Sequence, residues 1–97
     1  MTNRQDGTNT DVRHIRMEPT DRGALVVVDD YELFDYVDDF LSGQGLDYEY
    51  TYEESRDGKR FYLMQFDSRV SPEQVLAAIE MIPSTEIQRI WSLNNHV

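Results

Sequence analysis

The chain has 97 residues and a mass of 11.4 kDa, which is material for one core and excludes a two-domain enzyme. Nineteen acids against nine bases leave a formal charge of −10, arguing against direct binding to nucleic acid or to an anionic membrane and in favour of a basic partner. No cysteine is present, so disulfides, thiolate catalysis and sulfur-based zinc sites are ruled out.

Residues 1–11 hold no hydrophobe after Met1, too little apolar surface to offset the entropy of ordering, and are expected to form a disordered tail before a single domain over residues 12–97. The start lacks an apolar stretch that could direct export, and the longest apolar run, Ala24 to Val28, is too short for a bilayer; a cytoplasmic protein is the expectation. Val12 to Met17 alternates weakly, which allows an extra N-terminal edge strand ended by Pro19. Ala24-Leu25-Val26-Val27-Val28 is apolar without alternation and rich in β-branched residues, the pattern of a central strand.

Asp30 is placed to cap a helix over Tyr31 to Leu41. At 100° per residue, Leu33, Phe34, Val37, Phe40 and Leu41 share one arc and Glu32, Asp35, Asp38 and Asp39 the opposite one. Ser42-Gly43-Gln44-Gly45 stops the helix. Leu46, Tyr48, Tyr50 and Tyr52 then alternate with Asp47, Glu49, Thr51 and Glu53, the period of a strand. Asp57-Gly58 suits a type I′ turn into a strand over Arg60 to Phe66, so opposed residue numbers sum to 115. Tyr62, Met64 and Phe66 then lie across from the tyrosine row. If the tyrosines face the helices, Tyr62, Met64 and Phe66 line the open sheet face, where an apolar row signals an interface: a homodimer, a heterologous partner, or a cover formed by the segment around Ile15 and Met17. Ser71-Pro72-Glu73-Gln74 is a capping box for a helix with Val75, Ala78, Ile79 and Ile82 on its buried stripe, and Glu86 to Leu93, with Trp91, is read as a final strand.

This order, βαββαβ, predicts an α+β, ferredoxin-like fold with two helices on one face of an antiparallel sheet. The central strand is expected beside Phe61–Phe66 and pointing the same way, which would bring Asp29, Asp30 and Asp67 to one rim. Three such carboxylates could ligate Mg²⁺ or Ca²⁺, but no ligand-loop spacing accompanies them, and capping and solvated loop ends explain them, so no metal or cofactor is expected. His14 and His96 have no visible partners in sequence, and Ser42, Ser55, Ser68 and Ser71 occur without a nucleophile motif.

Leu25-Val26-Val27-Val28-Asp29-Asp30-Tyr31-Glu32-Leu33 resembles the opening of a response-regulator receiver domain, a likeness that would give Asp67 the place of the phosphoacceptor. The intruding Asp57-Gly58 hairpin, a single lysine at that turn and too little chain for five βα units depart from the receiver pattern. The βαββαβ order with its helix, break and strand from Ile79 to Trp91 is similar to regulatory modules of the ACT type, which would imply a small ligand or metal at a dimer interface; the glycine such modules carry after the first strand is absent from Asp29-Asp30-Tyr31-Glu32.

The charge is not evenly spread. Residues 29 to 54 hold ten acids (Asp29, Asp30, Glu32, Asp35, Asp38, Asp39, Asp47, Glu49, Glu53 and Glu54) and no base, while the rest of the chain balances nine against nine. A solvated face or a salt-adapted background would also supply acids, although the second should spread them more evenly. Like charges four apart, as in Asp35 and Asp39, cost helix stability, so stability does not ask for them. The functional expectation is a small, acidic, non-catalytic inhibitor that imitates nucleic acid and occupies a basic surface of a partner protein, as nuclease inhibitors, anti-CRISPR proteins and immunity proteins do, with an ACT-like regulatory module as the alternative. Its expected contact residues are Glu32, Asp35, Asp38, Asp39, Asp47, Glu49 and Glu53, with Tyr62, Met64 and Phe66 on the open sheet.

Overall fold

In the computed structural model, which describes the backbone of residues 10–12 and 14–94 and the side chains of 14–93, a five-stranded antiparallel sheet is covered on one face by helices. The elements are β1 (Thr10–Val12), β2 (Ile15–Pro19), β3 (Ala24–Val28), α1 (Tyr31–Gly43), β4 (Tyr50–Arg56), β5 (Lys59–Gln65), α2 (Pro72–Glu80) and α3 (Ser84–Asn94). Strand order is β1-β2-β3-β5-β4. The tail expected over residues 1–11 lies outside the described residues as far as residue 9, while Thr10 and Asp11 pair with Met17 and Arg16.

Local chemistry forms the elements that were legible. Asp30 accepts from the Leu33 N–H at 3.0 Å and opens α1. Ser71 and Gln74 complete a reciprocal capping box at α2. At the hairpin, Asp57 and Gly58 hold φ of 54° and 78°, and pairs from Arg56↔Lys59 to Tyr50↔Gln65 follow the sum of 115.

The ferredoxin-like order is not what forms. Glu86 to Leu93 lies within α3 rather than in a strand, because Ile87 and Ile90 are three apart and Ile87, with Trp91, four apart; this helical stripe packs into the main core beside α1. The edge such a strand would have occupied beside β3 is taken by β2, giving β-β-β-α-β-β-α-α with three helices. β3 and β5 run antiparallel, with Leu25↔Gln65 and Val28↔Tyr62.

The two sheet faces are the reverse of the expectation. Met64 and Phe66 are fully buried under the helices with Ile15, Met17, Ala24, Val26 and Val28, and Tyr62 is half-buried against α1. The opposite face carries the smaller cluster Leu25, Val27 and Leu63, with Phe61 against it and Tyr50 and Tyr52 exposed beside it. The tyrosine row is also broken. Glu49 N–H donates to the carbonyl of Gln65, the residue that pairs with Tyr50, so chain irregularity precedes β4. Leu46 and Tyr48 consequently join the helix-side core, Tyr48 meeting Phe66 edge-on at 6.4 Å, while Tyr50 and Tyr52 remain on the open side.

Candidate functional site

Helix α1 buries Leu33, Val37 and Leu41, which turns Glu32, Asp35 and Asp39 outward; all three are exposed. Its two flanks differ. Tyr36 and Phe40 stack at 6.3 Å on the flank toward α3, where Tyr36 lies near Arg89. On the other flank Tyr31 and Phe34 meet the Tyr62 ring of β5 at 5.5 and 5.8 Å, and Asp38, one turn on, accepts from the Tyr48 hydroxyl at 3.5 Å. Burial, with repulsion from Asp39 and Asp35, raises the Asp38 carboxyl above its usual value, and the neighbouring carboxylate in turn pushes the Tyr48 phenol up.

Folding sorts the ten acids of residues 29–54 into two groups. Asp29 lies 3.1 Å from His14 Nδ1 and 3.6 Å from Lys59 Nζ, and Asp30 is used as the cap. Glu49 pairs with Arg22, Glu53 with Arg60 at 2.9 Å, and Glu54 with Arg56. These bases come from outside the acidic stretch: Arg22 from the loop between β2 and β3, Arg60 from across the β4–β5 hairpin, and Arg56 from two residues further along β4. Glu32, Asp35, Asp38, Asp39 and Asp47 form no ion pair with any described residue. The uncompensated charge is thus concentrated on the outer surface of α1 and the turn that follows it. Of the expected contact residues, Glu49 and Glu53 are exposed but paired, Tyr62 lies at the side of α1, and Met64 and Phe66 are inaccessible because they form the centre of the core.

The carboxylates of the strand ends are separated rather than gathered. Since β3 and β5 are antiparallel, Asp29 and Asp30 sit near the start of β5, whereas Asp67 sits beside Gly23 at the other end and is clasped by Arg69, which holds its carboxyl below the usual range. No group of three or more potential ligands is assembled among the described residues.

One arrangement had no sequence signal. The His14 ring stacks on Trp91 at 4.2 Å with planes 5° apart while bonding to Asp29, tying the start of β2, the end of β3 and α3 together. Residues 77 apart in the chain meet here, and no spacing rule connects them; His96 lies outside the described residues. The open sheet face presents Tyr50 and Tyr52 with their rings 5.9 Å apart, Arg22 over Tyr50 at 5.7 Å, and Arg56 bridging Glu18 and Glu54. No helix of the described residues is long and apolar enough to cross a membrane.

No protein-family model matches the chain, and comparison with curated proteins and with solved structures finds no significant match.

Proposed function

We propose that this protein is a non-catalytic acidic inhibitor that occupies a basic surface on a partner protein, in the manner of a nucleic-acid mimic. The observation that carries the reading is the division among its acids: Glu32, Asp35, Asp38, Asp39 and Asp47, on α1 and the turn after it, form no ion pair with any described residue, although Arg22, Arg60 and Arg56 pair with Glu49, Glu53 and Glu54. Repulsion along α1 costs about 0.2–0.5 kcal/mol for each like pair three or four apart, so this surface opposes folding slightly, and a gain on meeting a basic partner would offset that cost. A concentrated negative field accelerates association with a basic surface and loses effect beyond the screening length, about 8 Å at physiological salt.

The test is the variant Glu32→Gln, Asp35→Asn, Asp38→Asn and Asp39→Asn, compared with the parent in capture from host lysate and then in association kinetics with the captured partner across a salt series. The parent is expected to associate faster at low salt and to slow steeply as salt rises, while the variant is slower and loses much of its salt dependence. Equal rates and equal salt slopes would reduce the acidic face to a solvated surface and end the inhibitor reading.

A further inference from the structure

The side of the sheet without helices has a small core of its own. Leu25, Val27 and Leu63 are 6%, 2% and 0% exposed, although Phe61 is the one partly buried apolar residue, among those described, that packs against them. Charged side chains extend the cover. Arg16 and Arg56 both donate to Glu18 of β2 at 3.3 Å, and Arg56, on β4, also donates to Glu54 and lies 5.8 Å from the centre of the Phe61 ring. Strands β3 and β5 lie between β2 and β4, so the bond from Arg56 to Glu18 passes over their open side, where Leu25, Val27 and Leu63 sit. Burial, with the carboxylates of Glu54 and Glu18 nearby, raises the Tyr52 phenol above its usual value, which sets that ring beside the same bond.

This bond is a long diagonal. Glu18 pairs with Leu25, Leu25 with Gln65 and Gln65 with Tyr50, so the β4 residue level with Glu18 is Tyr50, at the far end of the seven-residue strand from Arg56. On a flat sheet the α-carbons of Glu18 and Arg56 would be about 25 Å apart, at about 4.8 Å per strand and about 3.4 Å per residue. Two extended side chains and the hydrogen bond between them reach about 15 Å. The sheet is therefore coiled until opposite corners of its open side approach, and the bond is made across the hollow.

We propose that the Glu18–Arg56 pair is a latch that holds the β4–β5 hairpin curled over Leu25, Val27 and Leu63 and keeps water from them. It is independent of the acidic surface on α1, which packs on the other side of the sheet. Among the described strands β4 has a neighbour on one side only, and no described helix presses on the open side, so a bond between corners is what fixes the curvature there. Arginine suits the place because its planar fork lies over the Phe61 ring while giving one N–H to Glu54 and another to Glu18. With the latch open, the hairpin straightens and the small core becomes an apolar surface in contact with water.

The test compares amide hydrogen exchange and Nile red binding in the full chain and in Glu18→Gln, Glu18→Asp, Arg56→Gln and the double variant Glu18→Gln with Arg56→Gln. Exchange is read at Tyr52 and Glu54, whose N–H groups bond to β5 because the closing pair Arg56↔Lys59 exchanges hydrogen bonds and the exchange alternates from there. Arg60→Gln, which removes a pair to Glu53 within the hairpin, is the control. Support for the latch is exchange at least about twofold faster in each single variant at Glu18 and Arg56, no further gain in the double variant, and brighter Nile red emission. Arg60→Gln should match the parent, as should Val37 and Leu41 of α1 in every variant. Glu18→Asp keeps the charge and shortens the reach, so parent-like exchange in that variant would overturn the latch. A change of less than about twofold in Glu18→Gln, or single effects that multiply in the double variant, would overturn it as well. Lost protection at Val37 and Leu41 together with β4 would mean that the pair holds the whole fold and not the hairpin, which also overturns it.

Discussion

Replacing Phe66 by Ala asks which face of the sheet is core and which is available to a partner. Phe66 is fully buried and touches the Tyr48 ring edge-on, in a cluster that includes Ala24, Met64, Val75 and Ile79. Truncating such a ring removes its transfer free energy and leaves a cavity, together about 3–5 kcal/mol. A domain of this length holds about 5–15 kcal/mol in total, so the loss is a large part of its stability. With a urea slope of about 1 kcal/mol/M for a small domain, the unfolding midpoint should fall by about 3 M or more with the slope unchanged. Tyr52→Ala, on the exposed row of the opposite face, removes contacts with Leu63 and Tyr50 and should cost only about 1 kcal/mol. Urea melts of parent, Phe66→Ala and Tyr52→Ala under one buffer read both values directly. A Phe66→Ala variant that melts within about 1 kcal/mol of the parent, or that is less affected than Tyr52→Ala, would show that Phe66 is on the accessible face, and the assignment of the sheet faces would be wrong.

Gly23→Ala should destabilise by about 1–3 kcal/mol in the same assay, since φ is 145° there and an added Cβ would lie 2.8 Å from the backbone oxygens of Phe66 and Asp67. Gly43→Ala, with nothing within 4 Å, should be neutral or stabilising; similar losses for the two variants would count against this account. Asp38→Asn should raise stability near neutral pH by about a few tenths of a kcal/mol, because the charged form of Asp38 is disfavoured by burial and by Asp39 and Asp35. The sign follows from the raised carboxyl: its cost to folding is present above the raised value, shrinks as pH falls through it, and is gone below the ordinary 3.8, where variant and parent should melt alike. Asp67, held low by Arg69, behaves in the opposite sense, its contribution being present above 3.8 and lost as pH falls through its lowered value, so Asp67→Asn should weaken the protein at neutral pH and not in acid.

Caps, the hairpin turn and most periodicities along the chain were legible before folding, the stripe of residues 86–93 being the exception. The capped start of α1, its apolar and acidic arcs, the Ser71 box and the hairpin register each depend on periodicity, on a side chain reaching its own backbone, or on a positive φ at Asp57 and Gly58. The acidic surface was legible for the same reason, as excess charge on one stretch of sequence. The choice of sheet face was not, because both sides of the hairpin alternate apolar and aromatic residues. Met64 and Phe66 are buried because β2 and β3 add Ile15, Met17, Val26 and Val28 to their side and the helices cover it, and because the irregularity at Glu49 separates Tyr48 from Tyr50 and Tyr52. Residues 86–93 contain apolar residues that suit a strand or a helix in isolation, and burial of Ile87 and Ile90 beside α1 decides for the helix. Glu54 with Arg56, two residues apart on β4, and Glu53 with Arg60, across the hairpin, are pairs the local sequence already allows; tertiary structure alone brought Arg22 to Glu49, 27 residues away, because the packing of loops sets distant charges side by side.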